Sequence, residues 1–307
     1  MNSRSRLATL LTVLAVPLAL LVAGCGGGGA SAAAGGKLNV VAAEDFWGSI
    51  AEQLGGEEVT VTSIITNPAA DPHDYEPTSA DAKTVAGAQI SIVNGIGYDE
   101  WASKLLAASP DSSRTELSVG EVLGLKNGDN PHQWYSPASV HAMIDAIVAD
   151  YEGALPDKAS YFRQQKEKFE SEGLAEYDQL IAQIKSRYAG TPVGASESIF
   201  EPLAPALGLR LITPRGFMDA ISEGTEATPA EKATADEQLA DNQVKLWVYN
   251  SQNATPDVKR LNEAAEAAGI PIATVTETMT PAGASFEQWL SRELRGIAAA
   301  LAQGAGG

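Results

Sequence analysis

The sequence predicts an α/β fold: two lobes on mostly parallel sheets, joined by one long helix. Three observations predict it. Short apolar, β-branched runs alternate with helix-patterned runs in both halves, as βαβ units do. A charged, helix-prone stretch at 156–188 separates the two stretches of alternation. The part from 37 to about 303 is long enough for two domains of ordinary size.

Residues 1–24 read as a signal peptide and are set apart from the fold. Arg4 and Arg6 form a basic start, 7–23 run apolar without charge, and the run stops at Val22-Ala23-Gly24-Cys25. An uncleaved anchor is the alternative, but the run is short for a spanning helix and ends in small residues. Cys25 is the only cysteine, so the chain has no internal disulfide and no thiolate cluster for a metal. A lone cysteine after Ala-Gly resembles the lipobox of bacterial lipoproteins, whose cysteine is lipidated as the new N-terminus. The alternative, a free thiol in an oxidising compartment, has no evident use. Residues 25–36 are then the lipidated cysteine and a flexible tether, GGGGASAAAGG.

The first lobe, 37–155, opens with a strand at 37–42, a short helix at 46–54 and a β-branched strand at 59–65. A helix at 79–88, a strand at 90–93, the Asn94-Gly95-Ile96-Gly97 turn and a helix at 98–108 follow, with a further amphipathic helix at 136–151. Residues 156–188 are the connecting helix, with Tyr161, Phe162, Phe169, Leu174, Tyr177, Leu180, Ile181 and Ile184 as its apolar face and only Gly173 interrupting it. The second lobe, 189–307, repeats the alternation. It has strands at 192–195, 209–212, 245–249 and 271–275, and helices at 200–207, from Pro229, at 256–268 and at 285–302. Residues 214–228 read as an acidic loop.

The formal charge is −18. Residues 1–24 hold two Arg and no acid, so the remainder has 19 bases against 39 acids, or −20. Such a surface argues against nucleic acid and against anionic lipid as partners. The acids are dispersed, and solubility accounts for most of them.

Two loops stand out. Asp71-Pro72-His73-Asp74-Tyr75-Glu76-Pro77 is echoed 59 residues later by Asn130-Pro131-His132-Gln133-Trp134, and together they hold two of the three histidines. Proline fixes its own φ and extends the residue before it, so each imidazole sits on a stiffened loop. Asp-Pro and Asn-Pro also start ordinary turns. Two copies in so histidine-poor a chain point instead to metal, for which neutral imidazole is the commonest ligand.

The Ala-Gly-Cys start, the Asp-Pro-His-Asp-Tyr-Glu-Pro-Thr loop, Asn94-Gly95-Ile96-Gly97-Tyr98-Asp99-Glu100-Trp101, the Asn-Pro-His-Gln-Trp loop and the mid-chain helix are together similar to the zinc/manganese-type solute-binding lipoproteins of metal ABC importers, the cluster A-I metal-binding family. The resemblance runs from Cys25 to the C-terminus. It implies two α/β lobes joined by one rigid helix, with a divalent metal in the interlobe cleft held by two side chains from each lobe. His73 and His132 match the first pair. Glu197 falls at the third position, His in many zinc members and Glu in manganese-type relatives; Glu277 takes the fourth, where Asp is more usual. The implied setting is the extracytoplasmic face of the cell membrane, with lipidated Cys25 in the bilayer, an ABC permease as partner, a monomer and no enzymatic role.

Two imidazoles and two carboxylates make a mixed N/O site of charge −2. Carboxylate enrichment moves it towards Mn²⁺ or Fe²⁺, although Zn²⁺ still binds such ligands well. The zinc branch often carries a His-rich loop, and 125–129 has no histidine. Manganese is therefore expected over zinc. Structural alternatives stand beside each residue: Glu197 as a carboxylate serving a helix dipole, Glu277 as a solvated loop acid near Glu287, Asp74 and Glu76 as turn or supporting residues. His141 is expected exposed and not a ligand, and Trp134, Tyr75 and Trp101 serve as core or pocket wall. A surface metallohydrolase would draft Asp74 or Glu76 as base. The chain has no His-Glu-x-x-His, Gly-x-Ser-x-Gly or phosphate-cradling motif to support it. Some relatives are surface adhesins, a role no feature here supports.

Overall fold

The computed structural model describes residues 36–305 except Ala69, Asp71, His73 and Asp74, so the signal segment, Cys25 and His73 lie outside the described residues. The first sheet holds β1 (Leu38–Glu44), β2 (Val59–Ile65), β3 (Ile90–Val93) and β4 (Thr115–Ser118) in the order β2-β1-β3-β4, every pair parallel. Its helices are α1 (Asp45–Gly55), α2 (Ser79–Ala86), α3 (Glu100–Ala108) and α4 (Val119–Leu123). Then come α5 (Pro137–Ala154), α6 (Ala159–Lys168) and α7 (Ala175–Tyr188). The second sheet holds β5 (Pro192–Ala195), β6 (Arg210–Leu211), β7 (Trp247–Asn250) and β8 (Ile272–Val275) in the order β6-β5-β7-β8, again parallel, with α8 (Arg215–Ser222), α9 (Pro229–Ala240), α10 (Pro256–Ala267) and α11 (Phe286–Ala305). Among the described residues no helix is long and apolar enough to cross a membrane.

The parallel α/β architecture agrees with the sequence pattern, and the local differences have identifiable causes. Strand β4 escapes the pattern because Thr115-Glu116-Leu117-Ser118 offers one apolar residue and lies at the sheet edge. The helix expected at 200–207 is a 3₁₀ turn at Ser198–Phe200 followed by further turns, because Pro202 and Pro205 break the i→i−4 ladder. The acidic loop expected at 214–228 contains α8, which buries Phe217, Met218 and Ile221.

The single helix expected at 156–188 is divided into a 3₁₀ turn at Pro156–Lys158, α6, a π turn and α7, with Leu174 between the last two. Between α6 and α7 a π turn at Phe169–Gly173 is closed by Leu174 N–H donating to Phe169 O at 2.9 Å. A side chain at Gly173 would stand 2.7 Å from the Phe169 ring, so glycine lets that ring fold over the turn. Phe162, Phe169, Leu174, Tyr177 and Ile184 are buried, and Tyr161, Leu180 and Ile181 pack against the same core. That core crosses between the lobes through aromatic rings. Phe46 stacks on Trp134 at 4.2 Å, and Trp289 of α11 lies 6.3 Å from Phe46 and 5.9 Å from Tyr135.

Gly194 in β5 sets the approach of β7. An added Cβ there would lie 2.7 Å from the Trp247 ring and 3.1 Å from Thr213 Oγ1. Gly194→Ala is expected to destabilise the protein by about 1–3 kcal/mol, the usual result of overpacking. A urea midpoint equal to wild type would show that the sheet yields there.

Candidate metal centre

In parallel open sheets, ligands bind in the crevice outside the carboxyl ends of the strands. Here Asn94 follows β3, Glu197 comes two residues after β5, Asn250 ends β7 and Glu277 comes two residues after β8. His132 sits just before the 3₁₀ turn Gln133–Tyr135 that leads into α5.

Glu197 is fully buried, with extended backbone and no capping hydrogen bond from its side chain, so it is not serving a helix end. Its Oε1 accepts from Asn250 Nδ2, and its Oε2 accepts from Asn253 Nδ2 at 2.7 Å. Glu277 is 9 % exposed, which removes the reading as a solvated loop acid. Its Oε1 accepts from the same Asn250 Nδ2 at 3.1 Å, and its Oε2 from the Tyr98 hydroxyl at 3.1 Å. One amide nitrogen therefore serves two carboxylates, which holds the bonded oxygens within about 6 Å, the sum of two hydrogen bonds. Asn250 Oδ1 accepts from Gln252 N–H at 3.0 Å, which fixes the amide's orientation with Nδ2 towards the acids.

His132 is fully buried, edge-on to Trp134 at 5.3 Å and to Tyr98 at 6.1 Å. Asn130 Oδ1 accepts from His132 N–H at 3.0 Å and lies 2.8 Å from His132 Nδ1. A backbone N–H only donates, so this oxygen is an acceptor and Nδ1 carries the ring hydrogen. The lone pair is then on Nε2, the arrangement a ligating histidine needs. Asn130 Nδ2 in turn donates to Ser198 O (2.7 Å) and Glu201 Oε2 (3.0 Å), tying the His132 loop to the opposite lobe. A cavity of about 250 Å³, lined by Ile96, Gly97, Asn130, His132, Ser198 and Arg215 among others, opens beside the imidazole.

Tyr98 is placed by a strained turn. Gly95, Ile96 and Gly97 all have positive φ, at 67°, 60° and 86°, and for a β-branched isoleucine that conformation is costly. Asp99 holds the turn by accepting from Asn94 and Gly95 N–H, both at 2.7 Å. Burial nevertheless pushes the Asp99 carboxyl up to about 6. Glu44, fully buried at the end of β1, is held well above the usual range by burial and by the charges of Asp99 and Asp45. Asp45 itself is raised by burial to about 7.

Described residues on either side of position 73 are tied to the rest of the fold. Pro68 O accepts from Thr278 Oγ1 at 3.2 Å and from Gln252 Nε2, while Gln252 Oε1 accepts from Thr278 N–H at 3.1 Å. Beyond His73, the Tyr75 ring packs 4.8 Å from Trp101 and its hydroxyl donates to Asp81 at 3.0 Å. Trp101 is therefore core, and Trp134 is both core and a wall beside His132. Glu76 is exposed on this loop. Among the described residues no three His, Cys, Asp or Glu side chains group closely enough to hold a metal; the expected fourth member, His73, lies outside them. His141 is on α5, its side chain 43 % exposed with Nδ1 3.3 Å from Glu170.

A second bridge lies behind Glu277. The Tyr135 hydroxyl is within reach of Thr276 O (2.8 Å) and Glu293 Oε2 (2.6 Å), while Glu293 Oε1 accepts from Thr276 Oγ1 (3.0 Å) and Trp289 Nε1 (2.9 Å). One hydroxyl hydrogen cannot serve two acceptors, so a proton kept on Glu293 completes the set. Burial, which raises Glu293 to about 8, keeps it there.

Sequence reasoning singles out His132 and the two acids but misses Asn250, Asn253 and Asn130, and it treats Tyr98 only as part of a motif. Position at a strand's carboxyl end was the available signal for Asn250.

Comparison with known proteins follows the same lines. The chain is 26% identical over 265 residues to the manganese ABC transporter substrate-binding lipoprotein PsaA of Streptococcus mitis, covering 80% of this chain and 82% of that protein. It is 31% identical over 149 residues to the manganese-binding lipoprotein MntA of Halalkalibacterium halodurans, a match that spans about half of each (47% and 49%). The fold is shared with the Mn-bound periplasmic metal-binding protein of Candidatus Liberibacter asiaticus, at TM-score 0.71 and 19% identity over 86% of this chain and 100% of that one. It is shared also with the periplasmic zinc-binding protein TroA of Treponema pallidum, at TM-score 0.70 and 19% identity over 87% and 99%. Residues 40–300 match the family described as zinc-uptake complex component A, periplasmic, and the chain belongs to that family.

Proposed function

We propose that this protein captures one divalent transition metal outside the cytoplasm and delivers it to an ABC permease. The ligands in this reading are His73 and His132 from the first lobe and Glu197 and Glu277 from the second. What supports it is a buried imidazole with its lone pair on Nε2, a tyrosine that packs edge-on to that imidazole and donates to Glu277, and one amide that joins Glu277 to Glu197. Four protein ligands leave little room for a reactive water, and a transport site needs none. Carboxylate enrichment moves the site towards Mn²⁺, although Zn²⁺ binds the same donors well, and relatives named for manganese point to Mn²⁺ as the cargo. In the same reading residues 1–24 are removed, Cys25 is lipidated and anchors a monomer at the outer face of the membrane, and 26–36 are the tether. Lobes 37–155 and 189–307 are joined by 156–188.

The test is elemental analysis of unlipidated protein from Cys25 onward, with competitive Mn²⁺/Zn²⁺ titration of the stripped form. One bound equivalent is expected, and saturation at 100 times Kd should stabilise the fold by about 2.7 kcal/mol. No bound metal and no thermal shift with any divalent ion sinks the reading. Glu197→His is expected to move the preference towards Zn²⁺; an unchanged Mn²⁺/Zn²⁺ ratio removes position 197 from the ligand set.

A further inference from the structure

The two acids of the second lobe come from different segments, Glu197 after β5 and Glu277 after β8. What joins them is Asn250, at the end of the strand that runs between β5 and β8. Its own position is fixed three ways. Asn250 N–H donates to Ser196 Oγ at 3.1 Å, its Oδ1 is held by Gln252 N–H at 3.0 Å, and its strand is paired with β8 at Val275. The amide therefore cannot turn over or withdraw without breaking bonds elsewhere, and its nitrogen remains aimed at Glu197 Oε1 and Glu277 Oε1.

We infer that Asn250 is the positioning residue of the centre: one amide sets both carboxylates at once and so delivers the second lobe's two ligands as a unit. The inference rests on the metal-capture reading. A carboxylate oxygen has two lone pairs, so accepting an amide hydrogen leaves a lone pair for a cation. The amide orients the acids and does not compete with the cargo. Asn253 and Tyr98 each hold one outer oxygen, of Glu197 and of Glu277 respectively, and limit rotation about the amide. Asn250 bridges the pair, and neither of these two does.

Hydrogen-bond partners of ligating carboxylates ordinarily matter by 10–100-fold in metal affinity. Asn250→Ala is expected to lower Mn²⁺ affinity by about that factor, and to broaden the Mn²⁺ electron paramagnetic resonance spectrum at saturating metal because both acids are released. Asn253→Ala, which frees one oxygen of one acid, is expected to cost less. Asn262→Ala is the control. That side chain accepts the indole N–H of Trp247, on the same strand as Asn250, at 2.8 Å, so its loss should leave affinity and spectrum unchanged. Should Asn250→Ala fail to fold, Asn250→Ser, too short to bridge both acids, carries the same expectation. Wild-type protein that binds Mn²⁺ while a folded Asn250 variant binds it equally well, with the same spectrum, overturns this inference alone. Wild-type protein that takes up neither Mn²⁺ nor Zn²⁺ overturns the metal-capture reading and this inference with it.

Discussion

His132→Gln is expected to weaken Mn²⁺ and Zn²⁺ binding by more than about 100-fold, beyond the range seen when a ligand's supporting partner is removed. Glutamine nearly conserves the buried volume but lacks the Nε2 lone pair that Asn130 sets in place by holding Nδ1. The fold should survive, because the changes are edge contacts with Tyr98 and Trp134 worth about 0.5–1.5 kcal/mol each and the Nδ1 bond to Asn130 Oδ1, for which the glutamine amide is a replacement donor. His141→Gln is the matched control, since that histidine is half exposed and faces Glu170. Competitive titration of both variants checks the pair, and His73→Ala should behave like His132→Gln. Equal affinity in His132→Gln and His141→Gln would remove His132 from the ligand set.

The second large effect concerns protons. Glu293 is raised from its ordinary value to about 8, so the folded state keeps a proton that the unfolded chain gives up near 4.5. Between those values the folded state binds more protons, and stability must fall as pH rises. The stabilisation is whole below the unfolded value and is lost as pH passes through about 8. Asp99, at about 6, and Asp45, at about 7, act in the same direction at lower pH. Glu293→Gln keeps a neutral acceptor for Trp289 and a donor for Tyr135 without a titrating proton. The variant should gain on wild type steadily from pH 5.5 to pH 9, by a few kcal/mol at most, since each tenfold change in proton affinity is worth about 1.4 kcal/mol. Thermal melts at the two pH values measure it. Parallel pH profiles for the two proteins would mean that Glu293 is ionised in the folded state throughout.

Much of this architecture was legible in the sequence because burial leaves a pattern. The runs now seen in β1, β2 and β3 are rich in apolar and β-branched residues, as strands covered by helices are. Where burial is partial the pattern fades, as in β4, and where local chemistry overrides it the reading fails, as at Pro202 and Pro205. The site divided in the same way. Histidine is scarce here and sits in two matching proline loops, so it announced itself. Glu197 and Glu277 are two acids among 39, and only family resemblance singled them out. Asn250 and Asn130 were invisible for a further reason. A neutral amide is ordinary in loops, and its importance comes from which two groups the fold places within its reach.

Strand for strand, β3 in one sheet is the counterpart of β7 in the other, and an asparagine stands at the tip of each. Asn94 accepts the Trp47 indole and gives its amide to Pro131 O at 3.0 Å, one residue before His132. Asn250 gives its amide to the two acids directly. The same residue stands at the same place in each sheet, one holding backbone and the other carboxylate. A change of cargo can then leave the sheets and both asparagines in place: the partner of Asn94 is a backbone carbonyl that no substitution alters, and only the acids held by Asn250 need be exchanged.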